Sequence, residues 1–236
     1  MSSISDIIVK NLFPQTTAPK TIFDGLPKPK NDLLSSLLAK KQAGPAYKVN
    51  GDYSGKILPS EEVKYLQFPN AVVKNQVMKI VSPSDTDDQK AQKIIDWVKK
   101  NIKYVTDEKN YGKGEYWAKP TETLKRMSGD CEDGAFLIHS MLLNAGVPSS
   151  KVRTYGGLVE AGKNAPYGGH GWTAYKRSTD NKWITLDWCY YPTPVGADIL
   201  KQKTFKQDKN YVDMFWYITA IGKRDGSNTW GFDGYV

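Results

Sequence analysis

Cysteine and histidine are scarce in this chain, with two of each in 236 residues. Two cysteines cannot build a disulfide framework, so a hydrophobic core has to hold the fold. No Cys or His pair has the short spacing of a structural zinc site, and no Asp- and Asn-rich loop shows EF-hand spacing, so neither metal nor cofactor is expected. Long apolar runs are missing too. No stretch approaches the roughly 20 residues of a membrane-spanning helix, and the start Met-Ser-Ser-Ile-Ser-Asp has no basic region followed by an apolar run. The expectation is a soluble chain without signal peptide or membrane span, cytoplasmic or associated with a particle. Clustered arginine with interleaved aromatics is also absent. The formal net charge of +8, from 33 Lys and Arg against 25 Asp and Glu, is spread over scattered lysines. It gives general attraction to anionic surfaces and no specific nucleic-acid recognition.

What is present argues for a packed domain. A chain that is 39% hydrophobic and 12% aromatic can bury one sizeable core and carry a smaller appendage. The appendage is residues 1–60, where Pro14, Pro19, Pro27, Pro29, Pro45 and Pro59 interrupt everything except residues 32–41, whose Leu33, Leu34, Leu37 and Leu38 form one apolar side of a short helix. This N-terminal arm reads equally as a strap over the domain or an extended arm that docks on a protein partner, with a propeptide over a cleft as the lesser third reading. Residues 61–236 form the domain itself. Within it, Ser84-Asp85-Thr86-Asp87-Asp88 is an acidic helix start before the stripe Ala91, Ile94, Ile95, Val98 and Ile102, with lysines at 99, 100 and 103 suiting the helix end. Residues 214–220 read as a buried strand.

The most informative stretch is Ser-Gly-Asp-Cys-Glu-Asp-Gly-Ala at residues 128–135. Ser128 and Gly129 stop one element, Asp130 can cap the next, and Ala135, Phe136, Ile138, Met141, Leu142 and Ala145 recur at helical spacing. Cys131 thus lies in the first turn of a buried helix, where unpaired N–H groups and the helix dipole favour thiolate. Glu132 and Asp133 suit the same helix end or a neighbouring cation. A nucleophilic thiol needs a base. His139 lies eight residues further on the same helix, about 12 Å along its axis and out of reach. His170 follows a glycine-rich turn and opens the alternating run Trp172, Ala174, Tyr175, a strand. Residues 182–188 form the next strand, ending in Asp187, with the turn Ser178-Thr179-Asp180-Asn181 between them. Antiparallel pairing can hold His170 beside Asp187 and leave the second imidazole nitrogen for Cys131.

Gly-Asp-Cys-Glu-Asp with its helix, then His-Gly-Trp, then Trp-Ile-Thr-Leu-Asp resembles the core of the transglutaminase-like superfamily, a branch of the papain-like thiol enzymes. The resemblance spans roughly residues 70–190, with residues 91–104 similar to the first core helix and residues 116–124 to the segment before the nucleophile. It implies Cys131 as nucleophile, His170 as general base and acid, and Asp187 as orienter of the imidazole. The fold class it points to is α+β: a nucleophile-bearing helix packed on an antiparallel sheet of about four or more strands.

The expected chemistry is a thiol hydrolase, a cysteine peptidase or amidase, that cleaves an amide through a thioester on Cys131. Its substrate would be a protein or peptide, cell-wall peptide among the options. Two other readings stand. A lysine amine in place of water would make the chain a protein-glutamine transglutaminase, and a chain that keeps only the fold would be a non-catalytic assembly module. Hydrolysis is preferred because the chain lacks the extra β-domains and calcium loop of the large crosslinking relatives. Trp117 can donate its indole N–H to an oxyanion, with the Cys131 N–H as second donor, or simply pack as a core aromatic before Pro120. Trp172, Trp183 and Trp188 read as packing beside the site. Alternation puts Cys189 on the face of Asp187 if the strand runs that far, as a structural or redox-sensitive thiol.

Overall fold

A computed structural model describes residues 61–160, 167–189, 194–205, 207–220 and 222–225. Residues 1–60, with the short amphipathic segment at 32–41, lie outside the described residues. Among the described residues five α-helices precede the main sheet. They are α1 (Ala71–Val77), α2 (Asp87–Asn101), α3 (Asp107–Tyr111), α4 (Pro120–Arg126) and α5 (Cys131–Asn144). Two short strands, β1 (Lys103–Tyr104) and β2 (Ser128–Gly129), pair in parallel just before α5. The main antiparallel sheet follows, built from β3 (Val152–Glu160), β4 (Tyr167–Lys176), β5 (Trp183–Leu186), β6 (Tyr211–Thr219) and β7 (Gly222–Asp225) in the order β5-β4-β3-β6-β7.

Local chemistry explains the boundaries that matter. Thr86 caps α2 through its hydroxyl, and Gln89 reaches back to the Thr86 N–H, a capping box on the acidic start. The helix ends at Asn101, earlier than the stretch 91–104 suggests, because Ile102 turns extended and Lys103 and Tyr104 pair with Ser128 and Gly129. This small ladder ties the end of α2 to the residues that launch α5. The hairpin between β4 and β5 turns at residues 177–182, where Asn181 takes a positive φ of 59° and Arg177 N–H donates to the Lys182 carbonyl.

Helix α5 is the hub. Every residue from Cys131 to Leu143 is buried, so it is enclosed between α1, α2 and α4 on one side and β3 and β4 on the other. Burial of Phe136, Leu137, Ile138, Met141 and Leu142 at 0% exposure stabilises it by about 1.5 to 3 kcal/mol per side chain. The sheet is covered on both faces. Val152, Tyr175, Ile184 and Leu186 join the core around α5, while Tyr155, Val159, Trp172, Ala174, Trp183, Phe205, Tyr211 and Tyr217 form a second core on the other face. Among the described residues no helix is long and apolar enough to cross a membrane.

Candidate active site

Cys131 is the first residue of α5, and Asp130 is its N-cap in extended conformation. The Asp130 side chain makes no capping hydrogen bond, and its Oδ1 is buried without a partner. The Cys131 thiol donates to Glu132 Oε2 at 3.1 Å, and the Trp188 indole N–H donates to the Cys131 carbonyl at 3.2 Å. Asp133 accepts the Ala118 N–H at 2.7 Å, pinning the segment before α4, and also takes the N–H of the N-cap Asp130.

Strand β4 reaches this helix end at Gly171. A Cβ there would stand 2.9 Å from Glu132 Cβ and 3.1 Å from its Cα, so only glycine lets the strand approach so closely. The Gly171 N–H also points to the Cys131 sulfur. One residue earlier, His170 Nε2 meets Asp187 Oδ2 at 2.6 Å, with both side chains buried. Asp187 also accepts the Tyr211 hydroxyl at 2.7 Å on Oδ2 and the Cys189 N–H at 3.1 Å on Oδ1. His170 stacks over Trp172 with ring centroids 6.0 Å apart. The fold therefore brings His170 and Asp187 into direct contact, and it brings Cys131 to the residue next to His170.

The electrostatics differ from what the helix position alone suggests. Burial pushes the Cys131 thiol well above its usual range, and the Asp130 charge adds to the rise; the Gly171 N–H and Glu132 only partly oppose them. For Asp187 burial acts upward, but the His170 charge and hydrogen bond hold the carboxyl down at about 2. His139 is a core residue with its Nδ1 on Thr154 Oγ1 at 2.9 Å, and burial pushes it down to about 3.

The other aromatic and thiol expectations resolve in space. Trp117 donates its indole N–H to Glu115 at 2.8 Å and packs its ring on Tyr65 and Phe136 with centroids 5.4 Å away. Trp172, Trp183 and Trp188 are buried. Strand β5 ends at Leu186, so strict alternation stops there, yet the Cys189 sulfur still lies 3.9 Å from Asp187 Oδ1 because residues 187–189 turn back on the carboxylate. Cys131 and Cys189 are both free.

Sequence reading missed two groups. Tyr211 comes from β6, 24 residues after Asp187, and no local pattern marks it. The second is a carboxylate cluster around the helix start. Oxygens of Asp107, Asp130 and Asp133 lie within 4.8 Å of one another, as do those of Asp107, Glu115 and Glu132. Asp107 Oδ1, Asp130 Oδ1, Glu132 Oε1 and Asp133 Oδ2 are buried without partners. Burial raises Asp133 to about 8 and Asp107 to about 6. Oxygen-only donors at this density suit a hard divalent cation. The acidic run at 130–133 hinted at it, but Asp107 and Glu115 arrive through the β1–β2 ladder and the loop after α3.

Residues 74–188 match the family model of the transglutaminase-like superfamily. The chain belongs to that superfamily through this core, which contains α2, α5 and the β4–β5 hairpin. None of the curated proteins matches. Among solved structures, Legionella pneumophila LapG is similar at 18% identity with a TM-score of 0.44, over 73% of this chain and 90% of that one. An EGTA-treated form of the same protein gives 17% and 0.45 over 75% and 88%, and a calcium-bound form 16% and 0.41 over 67% and 91%.

Proposed function

We propose that this chain is a thiol hydrolase that cleaves an amide bond in a protein or peptide, with Cys131 as nucleophile, His170 as proton carrier and Asp187 as the group that fixes the imidazole. The observation that carries the reading is the buried 2.6 Å contact between His170 and Asp187, one residue from the glycine that meets the helix end bearing the sulfur. With Nε2–H held on Asp187, the basic nitrogen is Nδ1. The Cys131 side chain turns from Glu132 toward it as substrate enters. Nδ1 takes the thiol proton, sulfur adds to the carbonyl carbon, and the imidazolium returns the proton to the amine as the C–N bond breaks. Water, deprotonated by the same nitrogen, resolves the thioester to a carboxylic acid and frees the thiol. The Cys131 N–H, unpaired in the first turn, faces the developing oxyanion. For Trp117 to join it, its N–H must first leave Glu115.

The carboxylate cluster adds one element. Asp107, Asp130, Glu132 and Asp133, with Glu115 at the edge, hold a hard divalent cation such as Ca2+, supported by the four orphaned buried oxygens. A cation held there would neutralise carboxylates that otherwise repel one another beside the nucleophile. Isothermal titration with Ca2+ should show binding that is weakened in Asp107→Asn, and no heat at all would remove this element.

The reaction is tested by incubating the protein with casein or cell-wall peptide, a primary amine donor and Ca2+. Cleavage that disappears in Cys131→Ala supports the hydrolase. Amine incorporation without cleavage converts the reading to a transglutaminase, and an inert wild-type protein supports an assembly module.

A further inference from the structure

Cys189 is a buried free thiol that the proposed reaction does not use. Its surroundings give it a chemistry of its own. One ring nitrogen of His170, one carboxylate oxygen of Asp187 and the Cys189 sulfur lie within 4.8 Å of one another. We propose that these three residues bind a thiophilic divalent cation, Zn2+ by their donor set, and that its binding arrests the thiol chemistry. The arrest rests on the function proposed above; the binding does not.

The donor set is the first argument. Imidazole, thiolate and carboxylate together select zinc over calcium or magnesium, which prefer oxygen alone. The carboxylate cluster at the α5 start has the opposite preference, so two cations of different hardness are sorted between two sites. Geometry is the second. Tetrahedral zinc with bonds of about 2.0 to 2.3 Å keeps its ligand atoms roughly 3.3 to 3.7 Å apart; the Cys189 sulfur already lies 3.9 Å from Asp187 Oδ1, and the 2.6 Å contact of His170 with Asp187 has to open by about 1 Å to admit the ion. The third argument is preorganisation. The Cys189 N–H closes on Asp187 Oδ1 at 3.1 Å, so sulfur and carboxylate sit on one tight turn, and the Tyr211 hydroxyl steadies that carboxylate from β6. An oriented carboxylate and a braced turn are what metal sites use to fix their ligands. Spacing rules overlook the trio because His170 lies 17 positions before its carboxylate partner and is brought to it only by the β4–β5 hairpin.

Binding releases the Cys189 thiol proton and shifts the proton shared between His170 and Asp187 to Nδ1 of the imidazole, with no change of oxidation state. It takes from Cys131 the imidazole that would accept its proton. The nucleophile itself is not a ligand, since its sulfur is engaged by Glu132 and the Gly171 N–H. This separates the site from ordinary metal poisoning of a cysteine enzyme, which acts on the nucleophile.

The test titrates Zn2+ into full-length wild type, Cys131→Ser, Cys189→Ser and Cys189→Ala against a chromophoric chelator, with circular dichroism to verify folding. Wild type and Cys131→Ser should bind one equivalent equally well and undisturbed by Ca2+, while both Cys189 variants should bind at least about tenfold more weakly. Co2+ should give a thiolate charge-transfer band in Cys131→Ser and none in Cys189→Ser. In wild type, Zn2+ should suppress alkylation of Cys131, and Cys189→Ser should escape at the same concentration. Equal Zn2+ affinity in the Cys189 variants, or loss of binding in Cys131→Ser, overturns the site. An unreactive Cys131 in metal-free wild type would count against the proposed function alone, because the chelator and cobalt readings still decide the binding.

Discussion

Gly134→Ala is a substitution for which two physical effects give opposite signs. Gly134 lies in the second turn of α5, where replacing glycine by alanine ordinarily stabilises a helix by about 1 kcal/mol. Here a Cβ would stand 2.1 Å from Trp188 Nε1 and 2.2 Å from Cε2, whereas carbon atoms in contact prefer about 3.5 to 4 Å. The indole must move by more than 1 Å within a packed core, and such overpacking costs about 1 to 3 kcal/mol. Moving it also breaks the bond from its N–H to the Cys131 carbonyl, and a buried donor left unpaired costs a further 1 to 3 kcal/mol or so. The net expectation is a destabilisation of roughly 1 to 5 kcal/mol. Trp188 follows Asp187 directly in the chain, so the displacement should also slow reaction at Cys131. Urea unfolding followed by tryptophan fluorescence measures the first effect. An alanine variant as stable as wild type, or more stable, would refute the close packing of indole on helix.

Three further outcomes follow from the same contacts. The folded-state pKa of His139 is about 3, below its unfolded value of about 6.5, so the unfolded chain takes up the extra proton and stability falls as pH drops through that window. Between pH 7 and pH 5 wild type should lose about 2 kcal/mol relative to His139→Gln, and parallel urea stability curves for the two proteins would contradict a buried neutral imidazole. Tyr211→Phe removes a 2.7 Å bond to Asp187 and should slow the reaction at Cys131 roughly tenfold, about 1.4 kcal/mol; a wild-type rate would exclude Tyr211 as a positioning residue. Asp107→Asn removes one of the mutually repelling buried carboxylates, so it should raise the melting temperature in EGTA and lose the Ca2+-induced increase. A wild-type response to both would remove Asp107 from the cation site.

Much of the architecture was legible because it is written in local signals. The apolar stripe of α5, the acidic start of α2 and the Ser178 to Asn181 turn each depend on residues close in sequence, and each stands close to where those signals put it. The meeting of His170 with Asp187 was legible for the same reason, since one short hairpin sets it. The end of α2 was misjudged because Lys103 and Tyr104 are claimed by Ser128 and Gly129, a pairing that local propensity does not encode. The thiol's electrostatics were misjudged because a helix N-terminus is local and favourable, whereas desolvation and the Asp130 charge arise only on folding. Tyr211 and the Asp107 carboxylate were invisible because tertiary contacts alone bring them to the site.

The most direct measurement is the rate of iodoacetamide alkylation of Cys131 near neutral pH, resolved from Cys189 by peptide mass mapping, in wild type and His170→Ala. If His170 accepts the thiol proton, modification is fast in wild type and falls by about a hundredfold or more when the imidazole is removed. Equal rates in the two proteins would mean that the sulfur and the imidazole do not act together.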